Sequence, residues 1–576
     1  MAKDYDVKIV LSGQTEKYRL AQQDSRKLWS VAAPATELEV KYELNDASLG
    51  VGLLRAQKGS AGTQLRIADG YGVDLSTEGL VKHGPGGTTV GSYTGTALKV
   101  DTFQANTYLL STTNIYYYAG GALSGGGTVT GAKNSTCVFN KELYVAAGAS
   151  GGGDGRMWKM TTWGSGVVEI NDTTTNNINL VASLTVNNTE RFYVADANVI
   201  SYSADPDADN FAQAVQLPED VNQMWVMAGY LFAQTNSAMY IVHNDSDGNP
   251  ASIEINSKMR LRANALSGTI MDTEGQSTWS SDGKSLWLLR VLGFNEFDIV
   301  KAGPFESTPG VPFGADIRGD ILDVSIDLDA VYVTVKRGND TYCYKGTEPQ
   351  RGTFTWSPLI KWPMTTMEVS GVSAYDGESY LYVGNSGSLA RFKLHDWTVF
   401  NTDWQIDTMF LNNGEPTVPK IHHRLSTRVD RTGGNLQPYA RVGEADSFTT
   451  LGGAQSIDTG VGMSNLTGPE IQVRIAISGN SSSQYFNLRG LQIEGVRRPE
   501  VRRQYDFTVY ADNKGEADFL RSLSANSGNI PNITRDDLDT TVEVQVYPGW
   551  PREVELFDDA LRKPARAFEV RALEIL

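Results

Sequence analysis

Between about residue 100 and residue 394 the chain repeats one local device: a short β-prone run, a polar turn, a run rich in Leu, Tyr, Val or Trp, and often a third run. Cys137-Val138-Phe139 turns at Asn140-Lys141 into Leu143-Tyr144-Val145, and Met224-Trp225-Val226 turns at Gly229 into Leu231-Phe232 and then Met239 to Val242. Tyr108, Tyr144, Tyr193, Leu231, Trp287, Tyr332 and Tyr382 mark the successive units, about 36 to about 56 residues apart, against roughly 40–50 residues for a propeller blade. A lone meander of this kind leaves its edges open, whereas radial packing of small antiparallel sheets protects them. The pattern predicts a mainly β chain whose body, residues 100–399, is an irregular β-propeller of six to eight blades. Several separate β-sandwiches are the alternative, but no linker-like stretch interrupts the series.

The chain's 576 residues exceed one ordinary core, and its hydrophobic content of 40% supplies buried sheets. Fifty-eight glycines, with many Thr, Asn, Asp and Ser, predict numerous tight turns. A net charge of −17 argues against a nucleic-acid coat, which needs clustered Lys or Arg to neutralise phosphates, but it suits the lining of a passage to which DNA should not stick. Cys137 and Cys343 are the two cysteines, too few for a disulfide framework or a Cys-based zinc site, and are expected as buried thiols. Met1 to Asp6 lead into the alternating Val7-Lys8-Ile9-Val10-Leu11 without the apolar core of a signal peptide, so synthesis in a cytoplasm without export is expected. No run approaches the roughly 20 apolar residues of a membrane span.

Around the propeller, residues 1–99 contain extended segments at Asp6 to Leu11, Leu38 to Leu44 and Thr63 to Ala68 and the loop Gly84-Pro85-Gly86-Gly87. They are expected to hold an incoming strand and a first blade. Residues 400–496 read as a β-sandwich-like unit with strands at Trp404 to Leu411, His423 to Val429, Gln437 to Val442, Ile471 to Ile477 and Phe486 to Glu494. Residues 497–576 read as a basic connector and a small α+β domain, its helix running from Glu516 to Ala525 with Leu520 and Leu523 inward.

The motifs that carry chemistry elsewhere each meet a structural alternative here. His83, His243, His395, His422 and His423 show no metal-ligand spacing, and the adjacent His422 and His423 would face opposite ways on a strand. Gly148-Ala149-Ser150-Gly151-Gly152 has the GxSxG spacing but runs on into more glycine, where a nucleophile elbow must open into a helix. Asp205-Pro206-Asp207-Ala208-Asp209 begins like a calcium loop, yet position six is Asn210 and position twelve Gln216. Ser280-Ser281-Asp282-Gly283-Lys284-Ser285-Leu286-Trp287 is similar to the Asp-box of sialidase propellers, with its Asp and Gly adjacent instead of one residue apart, and reads as a hairpin turn. Trp404, Tyr439 and Tyr485 are too scattered to define a glycan platform. No catalytic set, cofactor or metal site is therefore expected. Arg497, Arg498, Arg502 and Arg503 remain as candidate contacts to phosphate or to an acidic neighbouring subunit, with Pro499 between the pairs favouring a salt-bridged connector.

One stretch of about a hundred residues is more specific. Val199 to Ser203, Asp205-Pro206, Phe211, Met224-Trp225-Val226, Leu231-Phe232-Ala233 and Met239-Tyr240-Ile241 resemble a blade junction in propeller proteins of tailed-bacteriophage virions. Ile270 to Gly293 resembles the blade that follows. That family comprises tail hub, nozzle and packaged-DNA stabilisation proteins, in which a propeller decorates subunits of a ring continuing the portal channel. The resemblance implies a structural subunit of the virion tail, made in the host cytoplasm, forming a sixfold homo-oligomeric ring against tail, adaptor or portal proteins while DNA passes without specific binding. The α+β terminus departs from the family pattern. Two other functions compete: a receptor- or carbohydrate-binding tail protein, and a propeller glycan hydrolase working through a carboxylate pair.

Overall fold

The computed structural model describes residues 7–11, 13–20, 39–52, 66–119, 121–148, 155–172, 178–186, 188–208, 210–244, 250–256, 277–281, 286–293, 296–302, 319–327, 330–350, 353–362, 367–412, 419–453, 460–497, 501–525, 532–535, 540–546, 550–558 and 563–575. Each of the seven markers falls in the second strand of its own small antiparallel sheet: Asn106–Ser111, Glu142–Ala147, Thr189–Asp196, Tyr230–Gln234, Leu286–Gly293, Ala330–Arg337 and Glu378–Asn385. These strands are apolar at nearly every position because both of their faces are covered. Alternate residues face alternate neighbours. Tyr144 and Ala146 pack with Phe192 and Val194 of the third sheet, while Leu143 and Val145 pack with Tyr108 and Leu110 of the first. Tyr193 and Ala195 then pack with Leu231 and Ala233 of the fourth, whose Phe232 meets Leu289 of the fifth.

The series continues round a full circle. Leu288 meets Val331 and Val333 of the sixth sheet, Tyr332 meets Leu381 and Val383 of the seventh, and Tyr382 meets Leu109 and Tyr118 of the first. Seven interfaces join seven sheets, so the sheets are propeller blades. The last blade is completed from the other end of the chain, since Gly87–Ser92 pairs antiparallel with Ser388–Lys393. The incoming strand expected within residues 1–99 is thus the outer strand of the last blade, and the first blade begins only at Ala97. Pairing the two ends in one sheet removes the open edge that a linear series would leave.

The rest of those first residues belongs to two other bodies. Glu39–Leu44 joins Phe486–Arg497, Lys420–Arg431 and Gly460–Gly468 in one sheet, and Ile67–Tyr71 joins Trp404–Thr408, Gln472–Ile477, Leu436–Arg441 and Thr449–Thr450 in another. The two sheets share a core of Leu44, Trp404, Ile406, Leu425, Ile475, Phe486 and Ile493. They form a sandwich with strands from both sides of the propeller.

Val7–Leu11 and Gln14–Leu20 lie further out still, in the terminal domain. Val7–Leu11 pairs with Asn532–Arg535, which pairs with Thr540–Val546, then Lys563–Ile575, then Val501–Tyr510, then Gln14–Leu20 and back to Val7–Leu11. Six strands therefore close a small barrel. The helix Lys514–Ala525 packs Phe519, Leu520 and Leu523 onto the barrel core. Its start is a capping arrangement in which Asn513 Oδ1 accepts from Glu516 N (2.9 Å) and Glu516 accepts from Asp512 N (2.7 Å).

The chain thus runs barrel, sandwich, propeller, sandwich, barrel. It enters and leaves the propeller through one neck, where Gly86 N donates to Val399 O (2.9 Å) and Asn401 N donates to Gly84 O (3.2 Å). A Cβ on Gly86 would lie 2.3 Å from Phe400 O, which is the physical reason for the glycines of the Gly84 to Gly87 loop. The sandwich also packs on the sixth blade. Arg337 clasps Asp69 (2.7 and 3.0 Å), Lys345 pairs with Asp74 (2.8 Å), and Val51 N donates to Trp356 O (2.9 Å).

Candidate functional site

Most of the motifs singled out in the sequence take structural places. Asp207 pairs with Lys159 and accepts from the Tyr144 hydroxyl (3.3 Å), so the Asp-Pro turn of the third blade is pinned to the second; Asp209 lies outside the described residues. Ser281 pairs with Leu286 across a hairpin whose turn, residues 282–285, lies outside the described residues, as do residues 149–154 of the glycine-rich loop. His422 is buried and His423 exposed, on opposite faces of Lys420–Arg431. Burial holds both His83 and His422 down at about 4, so both rings are neutral at pH 7. Among the described residues no group of three or more His, Cys, Asp or Glu could hold a metal ion. Cys343 is buried and Cys137 half-buried, and burial raises both thiols.

The arginine pairs lie where the chain passes from sandwich to barrel. Arg497 ends the strand Phe486–Arg497, and Arg502 and Arg503 lie early in Val501–Tyr510; their side chains, and Arg498 entirely, fall outside the described residues.

Polar groups also line the joints between the innermost strands of the ring. Glu368 accepts from the Tyr93 hydroxyl (2.7 Å) and Ala97 N (2.8 Å), and Ser373 Oγ bonds Thr102 Oγ1 (2.7 Å) and Thr107 Oγ1 (2.9 Å). Asp323 accepts from Val324 N (2.8 Å) and Ser370 N (3.2 Å), yet burial pushes its carboxyl up to about 7. A folded value above the unfolded 3.8 means that protonated Asp323 favours folding, an advantage complete below about pH 4 and lost as pH rises through about 7. Asp323→Asn should therefore gain stability relative to the parent between pH 5 and pH 8, by about 2 kcal/mol at this half-buried site. Urea unfolding followed by Trp fluorescence at both pH values checks this; identical pH dependence in the two proteins would contradict it.

A broad hollow of about 650 Å³ lies on the outer face of the five-stranded sandwich sheet. It was not legible as a site in the sequence because four strands build it. Cross-strand register places Tyr439, Arg474, Asp407 and Asp69 in one row, and Gln437, Ala476, Gln405 and Tyr71 in the next. Strand alternation explains the choice: Leu436, Pro438 and Ala440 point into the core, leaving Gln437, Tyr439 and Arg441 outside.

Each cation around the hollow is already engaged. Arg474 holds Asp407 by two bonds of 2.7 Å and lies 3.9 Å over the Phe448 ring. Arg337 holds Asp69, and Arg441 donates to Gln472 Oε1 (2.7 Å) and Glu444 O (2.8 Å). Burial pushes the Asp407 carboxyl above its usual range, with Arg474 pulling the other way. The face is polar and recessed, and its Arg474–Asp407 and Arg337–Asp69 charges are paired, so it offers hydrogen bonds from a largely engaged set of charges.

No family model and no curated protein matches the chain. Among solved structures it is similar to YCF48 from Cyanidioschyzon merolae, at 15% identity and a TM-score of 0.36, over 53% of this chain and 98% of that one. No helix among the described residues is long and apolar enough to cross a membrane.

Proposed function

We propose that the chain is a structural subunit of a bacteriophage tail, of the hub or nozzle kind, assembling into a ring around the DNA exit channel. The nested path of the chain carries this reading. A propeller hung by one neck on a sandwich, itself held between strands that close a barrel with both ends of the chain, is an appendage on a base. The base is free to make subunit contacts while the blades face outward, and seven apolar interfaces keep the appendage rigid. The resemblance of the third and fourth blades to virion propellers supports the same reading, as does the charge of −17, which disfavours retention of passing DNA. Its work on this reading is assembly and passage.

Mass photometry and negative-stain electron microscopy of the full chain, alone and mixed with portal or adaptor rings, test the proposal. A closed ring near six times the 62.8 kDa subunit mass is expected. Monomers under every condition, or tight retention of duplex DNA at physiological salt, would overturn it.

A further inference from the structure

The geometry points to the sandwich hollow as a binding site for a neutral, hydroxyl-rich ligand, an oligosaccharide. This goes beyond the ring reading and does not depend on it. Its floor is Ala476, flanked in register by Gln405 on one strand and Gln437 on the other. Two strand intervals separate those glutamines, roughly 10 Å, a gap that seats one sugar ring over a methyl group.

The hydrogen-bonding chemistry is specific. Gln405 spends an amide N–H on Asp407 Oδ1 (3.1 Å), and Gln437 spends its N–H groups on Pro438 O (3.2 Å) and Gly452 O (3.4 Å). Each keeps its Oε1 as an acceptor for a ligand hydroxyl. Half-buried Tyr439, in the next row, makes no side-chain hydrogen bond and no ring contact among the described residues, so it has both a hydroxyl and a ring face to give. Rings of this kind pack against the apolar face of a sugar while their polar end stays wet. The volume, about 650 Å³, falls within the range of roughly 300–1,000 Å³ for small-molecule sites.

Charge decides the ligand class. Arg474 and Arg337 are each held by a carboxylate in paired geometry, and Arg441 by Gln472 Oε1 and the Glu444 and Asp446 carbonyls, so a phosphate, sulfate or carboxylate would have to compete with these partners. An anion would also meet Asp446 at the rim, and a cation would have to compete with guanidinium groups already seated on Asp69 and Asp407. A neutral polyol meets neither penalty.

The test uses the full chain on an array of neutral hexose and N-acetylhexosamine oligosaccharides of two to six residues, with sialylated, sulfated and phosphorylated oligosaccharides as a separate arm, followed by titration calorimetry on the best neutral binder. Ala476→Trp, which fills the floor, should weaken binding at least tenfold, and Gln437→Ala, on the side of its strand that faces away from the core, should weaken it severalfold. Circular dichroism and melting of both variants should match the parent, and Gln437→Ala decides alone if Ala476→Trp misfolds. Absence of any neutral glycan binding, binding confined to the anionic arm, or binding untouched by the readable variant would overturn the inference. Ring assembly is read separately by mass photometry, so either proposal can fail without the other.

Discussion

Trp404→Ala is expected to destabilise the sandwich by about 3–5 kcal/mol. Trp404 has no exposed surface and is the largest fully buried side chain among the described residues, with its ring 6.1 Å from Phe486 and 6.4 Å from His83. Its indole N–H is buried without an acceptor among the described residues, so truncation leaves a cavity and removes no hydrogen bond. The sandwich core runs without a break into the sixth blade through Trp356, Val331 and Val333, whereas the barrel core around Val7, Phe507, Leu520 and Phe568 is a separate cluster. Hydrogen exchange should therefore report lost protection in Gln472–Ile477, Lys420–Arg431 and the blade strand Thr353–Trp362, with Val7–Leu11 and Lys563–Ile575 unchanged. Equal loss in the barrel, or none in Thr353–Trp362, would refute this partition. Trp404→Phe should cost only about 1–1.5 kcal/mol, since most of the volume is kept.

That partition was hidden from the sequence for a physical reason. Local patterning records which face of a strand is buried, not which strand lies beside it. Val7 to Leu11 alternates between buried and half-buried positions, and nothing in those five residues says that Asn532–Arg535 is the neighbour. The same holds for Glu39–Leu44 against Phe486–Arg497. A read-through from one end assigns both to an N-terminal unit, because contacts between distant segments leave no local trace.

The central blade strands were legible because they pay no tribute to solvent. Leu143 and Val145 face one neighbour and Tyr144 and Ala146 the other, so the run is apolar at both parities and stands out from its surroundings. The closing strand Gly87–Ser92 has the opposite character. It is an outer strand of Gly, Thr and Ser with only Val90 buried, and its sequence resembles a loop. The candidate hollow suffers from both problems, since Gln405, Gln437 and Ala476 are ordinary residues until three strands bring them into register. Tyr439 has no aromatic companion near it in the sequence, and most of the residues that line the hollow with it lie on other strands. The rejected motifs fare differently: Asp207 ends as a clasp between blades, which is what an Asx-rich turn in a propeller is suited to do.

Closure of the ring depends on how near its first and last inner strands can come, and Gly371 sets that distance. A Cβ at position 371 would lie 2.5 Å from Val100 O and 3.2 Å from Val100 Cβ, and the first of these is backbone that cannot rotate away. Gly371→Val should therefore push the seventh blade off the first, straining the Thr102–Ser373 and Thr107–Ser373 hydrogen bonds and opening the cluster of Val100, Leu109, Val369 and Tyr382. The expected cost is about 3 kcal/mol, at the upper end for overpacking. Protection should be lost first in Gly87–Ser92, because that strand pairs only with Ser388–Lys393 among the described residues and holds the two ends together. Gly125→Ala is the control: a Cβ there meets nothing within 4 Å, so its effect should stay within about 0.5 kcal/mol. Urea unfolding of the three proteins, with limited proteolysis to find the first site cut, reads both quantities. If Gly371→Val unfolds with the parent midpoint, the joint between the first and seventh blades does not limit stability. If it is destabilised but is cut first at a remote blade, the strain has been relieved elsewhere in the ring and Gly87–Ser92 is not its weakest strand.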